Sequence, residues 1–180
     1  VQKSPGAGAG PPALSRLGGS AWPRTKGRAR DAVMELAREL LEVEAFRAVH
    51  TRKSFAESGP DFEEFEAHFA FEETEGQKSA IADVVRDLAG EKPMDRLVCG
   101  DVGFGKTEVA LRGAYLAALG GRQVAFLVPT TVLARQHFDT IRARFEGYPL
   151  QCAMLSRFNS REENARVVAG LASGAIDMVV

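Results

Sequence analysis

Eight consecutive residues constrain this chain more than any other feature: Gly100-Asp101-Val102-Gly103-Phe104-Gly105-Lys106-Thr107. They follow the apolar run Arg96-Leu97-Val98-Cys99 and lead into a stretch of helical periodicity from 106 to 119. The spacing G-x-x-x-x-G-K-[ST] in that setting predicts a phosphate-binding loop between a buried strand and a helix. Gly103 and Gly105 permit positive φ and a close backbone approach to phosphate oxygens. Loop amides and the helix N-terminus then face the negative charge. Lys106 supplies a cation for β- and γ-oxygens, and the Thr107 hydroxyl a ligand for Mg²⁺.

The chain around this loop alternates regularly. Its pattern predicts helix 75–89, strand 96–99, helix 106–119, strand 123–128, helix 132–146, strand 150–155, helix 161–172 and strand 176–180. Thr74-x-x-Gln77 and Ser160-x-x-Glu163 have capping-box spacing. Gly120-Gly121 and Gly174 stand where helices end. Strand–helix alternation with continuous apolar strands predicts an α/β fold, a parallel sheet flanked by helices. The run Ile176-Asp177-Met178-Val179-Val180 reads as a strand entering a core, and Val1 is not a start methionine. The expectation is therefore a fragment, cut in the middle of its sheet.

Upstream the character differs. Residues 1–30 carry Lys3, Arg16, Arg24, Lys26, Arg28 and Arg30 without an acid, and Pro5–Pro12 is rich in Gly, Pro and Ala. That composition predicts a flexible segment. Residues 28–50 read as one helix, with Val33, Leu36, Ala37, Leu40 and Leu41 on one face and a Glu35–Arg38 pair elsewhere. Residues 57–75 are acidic, with Phe62, Phe65, Phe69 and Phe71 interleaved, which predicts a solvated helix whose aromatic face packs on a neighbour. The 180 residues are 45% hydrophobic and carry a net charge of −1, enough apolar content for a core. Near-neutrality excludes nucleic-acid binding by bulk positive charge alone and leaves local phosphate sites open. Cys99 and Cys152 lie in apolar runs and are expected to be buried free thiols in a reducing compartment such as the cytoplasm. No apolar run is long enough for a membrane span.

Two further groups allow two readings each. Gln77 closes the capping box with Thr74, or its amide, both donor and acceptor, reads an adenine edge. Pro129-Thr130-Thr131 follows a strand and opens a helix. Its hydroxyls cap that helix, or together with the helix N-terminus they hold a nucleic-acid phosphate.

Several segments resemble the bacterial transcription-repair coupling factor family: Pro93 to Ala110 around the loop, Phe71-Glu72-Glu73-Thr74 continuing to Gln77, Val128 to His137, and Leu155-Ser156-Arg157-Phe158. Leu14 to Trp22 is similar to the exit from that family's RNA-polymerase-interacting domain, and the helix after it to the family's relay helix. The resemblance covers nearly the whole chain. It implies a RecA-like P-loop NTPase lobe of a superfamily 2 translocase that moves on double-stranded DNA with ATP and Mg²⁺. Such an enzyme displaces stalled RNA polymerase and recruits an excision-repair damage-recognition protein through regions outside this chain. The implied ATP site is Gln77 with Gly100, Asp101, Val102, Gly103, Phe104, Gly105, Lys106, Thr107 and Glu108. Lys106 and Thr107 are its catalytic residues, and Thr107 is the Mg²⁺ ligand. Pro129, Thr130, Thr131 and Gln136 are the implied DNA contacts. The resemblance divides the chain into 1–24 (domain exit or linker), 25–70 (helical linker) and 71–180 (the front of the first motor lobe). It places the second acidic motif and the arginine finger beyond Val180, so the isolated segment is expected to bind ATP and DNA without turnover.

Alternatives come from other classes. A RecG-type branched-DNA helicase shares the loop and Thr-x-x-Gln but usually has serine where Phe104 stands. A non-catalytic segment docking RNA polymerase is a second possibility. A small-molecule kinase is a third, and it leaves Pro129-Thr130-Thr131 without a task.

Overall fold

The computed structural model describes residues 21–55 and 58–180. The expectations for Pro5–Pro12, for Leu14 to Ser20 and for Glu57 lie outside the described residues. The described residues fall into two units, divided after His50.

In the first unit, α1 (Ala21–Val49) is one helix of 29 residues. It starts seven residues before the position the periodicity predicts. Pro23 lies in its first turn, where a missing N–H leaves no helical bond unmade. Arg24 and Lys26, which composition placed in a flexible segment, are therefore helical, together with Arg28 and Arg30, which the periodicity already placed in the helix. The predicted Glu35–Arg38 pair forms at 3.2 Å. Val33, Leu36, Leu40 and Leu41 all remain exposed.

The second unit contains α2 (Pro60–Ala67), α3 (Glu75–Ala89), α4 (Lys106–Leu119), β1 (Val124–Ala125), α5 (Thr131–Arg144), β2 (Cys152–Ala153), α6 (Arg161–Ser173) and β3 (Met178–Val179). The strands form a parallel sheet in the order β1-β3-β2. Met178, fully buried in the middle strand, pairs with Val124 on one side and Cys152 on the other. Right-handed crossovers carry the intervening helices over such a sheet.

Both capping boxes form as their spacing predicts. The α3–α4 pairing explains a glycine inside α4. A Cβ on Gly113 would stand 2.9 Å from Val84 Cγ1, so only glycine lets the two helices approach this closely. The aromatic face of α2 packs as expected: Phe65 stacks on Tyr115 of α4 and on Phe145, with centroids 4.3 and 5.1 Å apart. Phe62 is buried beside it, whereas Phe71 stays exposed.

Residues 96–99 correct one expectation. They join no strand among the described residues, because a strand exists only where a neighbour completes its ladder. Leu97 is consequently 86% exposed. Cys99 is likewise exposed rather than buried. Cys152, on β2, is partly buried, and burial followed by the charge of Asp177 raises its thiol pKa. Among the described residues no helix is long and apolar enough to cross a membrane, and no cluster of His, Cys, Asp and Glu could hold a metal.

Candidate nucleotide and nucleic-acid site

The loop Gly100–Thr107 leads directly into α4, whose N-terminal amides are the first-turn donors left without helical partners. Gly103 and Gly105 adopt φ of 87° and 67°, the left-handed region their identity predicts. Lys106 folds back on the loop, its Nζ donating to the carbonyls of Gly100 at 2.7 Å and Asp101 at 2.6 Å. A phosphate chain offers the same ammonium stronger, charged acceptors. Val102 and Phe104 stand exposed on the rim.

Gln77 enters the loop from α3, 27 residues upstream of Phe104 in sequence. Its Oε1 accepts from the Thr74 backbone N–H at 2.8 Å, and its own N–H donates to Thr74 Oγ1 at 3.3 Å. Its Nε2 donates to the Phe104 carbonyl at 3.2 Å. The capping box and an approach to the loop thus coexist in one side chain. Gly105 belongs to the same arrangement, since a Cβ there would run into the Gln77 amide.

A cleft of about 800 Å³ opens beside these groups, lined by Phe69, Phe71, Thr74, Gln77, Phe104 and Thr107 among others. The sequence places Phe69 and Phe71 on an aromatic packing face or partner site, and Phe71 in the resembling segment that runs to Gln77, without assigning either to a cleft beside the loop. Their proximity in sequence to Thr74 and Gln77 was the available signal. The donor set fits a nucleoside triphosphate with Mg²⁺: a loop turned by two left-handed glycines, one ammonium, a hydroxyl at Thr107 and a helix N-terminus.

Glu108 follows Thr107 but turns inward and is 7% exposed. Its Oε1 accepts from Arg112 Nε at 2.7 Å and from Arg144 Nη2 at 3.0 Å. Arg144 also donates to the Phe65 carbonyl at 2.7 Å, and its guanidinium lies 3.8 Å from the Phe65 ring centroid. The Glu108–Arg112 spacing is legible as an i,i+4 pair, whereas Arg144, 36 residues away, is not.

Pro129, Thr130, Thr131 and Gln136 occupy the start and first half of α5. Thr130 is the N-cap, its Oγ1 accepting from the Leu133 N–H at 3.2 Å. Pro129, Thr130 and Gln136 are exposed. The structure brings Gln77 and the loop together directly. It connects α5 to them at its other end, through Arg144 and Glu108.

The family profile described as DEAD/DEAH box helicase matches residues 74–180. A transcription-repair-coupling factor of Bacillus subtilis is 45% identical over 100% of this chain and 15% of its own length. One from Escherichia coli is 46% identical over 93% of this chain and 14% of its own. The chain therefore spans about a seventh of these relatives. Among solved structures, that of RecG bound to a three-way DNA junction has a TM-score of 0.72 at 34% identity, covering 77% of this chain and 19% of that one.

Proposed function

Because this chain belongs to the DEAD/DEAH box helicase family, we propose that it is the front of the first motor lobe of an ATP-dependent double-stranded DNA translocase. In the cytoplasm the whole protein would displace stalled RNA polymerase and couple transcription to excision repair. The observation that supports this most is the loop Gly100–Thr107 at the head of α4 with the Gln77 amide bonded to it. Similarity to transcription-repair-coupling factors along 93–100% of the chain favours this reading over a RecG-type helicase. The RecG likeness covers 77%.

In this proposal Gly103 and Gly105 let the backbone amides of the loop surround the phosphates. Lys106 leaves its two carbonyl acceptors for the β- and γ-oxygens. The Thr107 hydroxyl would hold Mg²⁺, which would supply charge neutralisation to the phosphates. Gln77 turns part of its amide to the adenine edge, and the aromatic side of the cleft excludes water around the base. Pro129, Thr130, Thr131 and Gln136 hold a DNA phosphate through hydroxyls and amides, a contact without base readout. Activation of the attacking water falls to groups outside these residues, so residues 1–180 alone bind Mg²⁺-ATP without turnover.

The test is Lys106→Ala in the full-length protein. DNA-stimulated ATP hydrolysis should disappear while the melting temperature stays at the wild-type value, because Lys106 is exposed and donates its hydrogen bonds to loop carbonyls. Retained hydrolysis in a folded variant would overturn the proposal.

A further inference from the structure

Arg112 lies one turn beyond Glu108 on α4, and its side chain has no exposed surface. Three carboxylates satisfy it. Nε donates to Glu108 Oε1 at 2.7 Å, Nη1 to Glu66 Oε1 at 2.6 Å, and Nη2 to Glu73 Oε1 at 2.6 Å. Burial works against its charge. The hydrogen bond and charge of Glu108, with the charges of Glu66 and Glu73, outweigh burial and raise its pKa above the ordinary value. Only a planar guanidinium serves three acceptors in these directions; an ammonium is a point charge on a flexible stem.

The three acids belong to three different parts of the fold. Glu108 adjoins Thr107 in the first turn of α4, and Glu66 lies on α2. Glu73 immediately precedes Thr74, the N-cap of α3. The Gln77 amide takes its orientation from Thr74, whose N–H holds Oε1. Where Glu73 is held therefore decides where that amide meets the loop.

We infer that Arg112 is a positioning residue for nucleotide recognition: through Glu73 it sets the Thr74–Gln77 turn against the phosphate loop, so that the Gln77 amide is placed for the base of a bound nucleotide. The inference rests on the reading of Gln77 as the adenine-facing residue. Arg112 itself has no surface to offer a ligand, so its effect on the base passes through the turn.

The test compares two ligands on the full-length protein with Mg²⁺: ATP, and inorganic tripolyphosphate, which has the phosphates and no base. Gln77→Ala should weaken ATP by about ten-fold and leave tripolyphosphate nearly unchanged, as loss of a hydrogen bond to the base requires. Glu73→Gln keeps the side-chain shape and removes its charge at a partly exposed position. It should also weaken ATP alone, by roughly three- to ten-fold on the same grounds. Arg112→Lys should reproduce this selective loss. The double variant Glu73→Gln with Gln77→Ala should bind ATP no worse than Gln77→Ala alone, because both act through one amide. Additive losses, equal losses on both ligands, or unchanged ATP affinity in a folded Glu73→Gln protein overturn the inference. If Gln77→Ala itself spares the ratio of ATP to tripolyphosphate affinity, the adenine reading fails and takes this inference with it. A Gln77 effect without a Glu73 effect overturns this inference alone.

Discussion

The Gln77 Nε2 donates to the carbonyl of Phe104 at 3.2 Å, across 27 residues of sequence, while Oε1 of the same amide closes the α3 cap on Thr74. One side chain thus joins a helix start to the loop that faces phosphate. If Gln77 reads the base as proposed, its helix cap orients it before ligand arrives, which lowers the ordering cost of binding.

Replacing Gln77 separates these two tasks. In Gln77→Ala the KM for ATP should rise and discrimination against GTP should fall, since the amide has donor and acceptor faces that only one purine matches. Loss of the Oε1 bond to the Thr74 N–H should lower stability by about 0.5–1.5 kcal/mol, while Thr74 still caps the helix. Steady-state kinetics with both nucleotides and a thermal melt check this. A lowered melting temperature with unchanged nucleotide preference would assign Gln77 to the cap alone.

Thr130 and Thr131 open α5, and the Thr130 hydroxyl already serves as its cap. The double variant Thr130→Ala with Thr131→Ala should weaken DNA binding on every duplex sequence tried, and leave ATP affinity intact. Phosphate contacts carry no base information, so no sequence should be spared. Titration with two unrelated duplexes measures it, with a melt to account for about 1 kcal/mol from the lost cap. Wild-type DNA affinity in the folded variant would leave these threonines as caps only.

Two arginine ion pairs should differ sharply in worth. Arg112 is fully buried among Glu66, Glu73 and Glu108. Arg112→Ala removes the buried cation that Glu108 shares with the partly exposed Glu66 and Glu73, and because Glu108 keeps Arg144 the cost should be at most about 3–5 kcal/mol. Arg38 pairs with Glu35 on an open helix face, both side chains more than 60% exposed. Arg38→Ala should change stability by less than about 1 kcal/mol. Urea unfolding of both variants gives the comparison, and similar midpoints would refute it.

Two glycine-to-alanine changes should have opposite signs. At Gly113 the new methyl meets Val84 Cγ1 at 2.9 Å, and overpacking there should destabilise by about 1–3 kcal/mol. At Gly27, in α1, nothing lies within 4 Å of the added carbon. Alanine there should strengthen the helix by about 1 kcal/mol, the propensity difference. Circular dichroism melts of the two variants decide it.

What the sequence determined by itself was local. The phosphate loop with its two left-handed glycines, both capping boxes, the Thr130 cap and the four helices from α3 to α6 depend on residues within a turn or two of each other. Their hydrogen bonds close over three or four residues, so spacing alone reveals them. The acidic stretch 57–75, expected as a helix, is helical only over Pro60–Ala67 before α3 begins at Glu75. For α1 the periodicity gives the end and misses the start, because its basic first turns carry no apolar period to read. Tertiary structure decided whatever needed a distant partner. The run Leu97-Val98-Cys99 looks like a buried strand, yet only a neighbouring ladder could make it one, and its leucine and cysteine are exposed. The meeting of Arg112 with Glu66 and Glu73, 46 and 39 residues away, left no mark on the sequence beyond its i,i+4 bond to Glu108. Burial gives those long-range charges their strength, since water no longer screens them, and burial is a property of the packed chain.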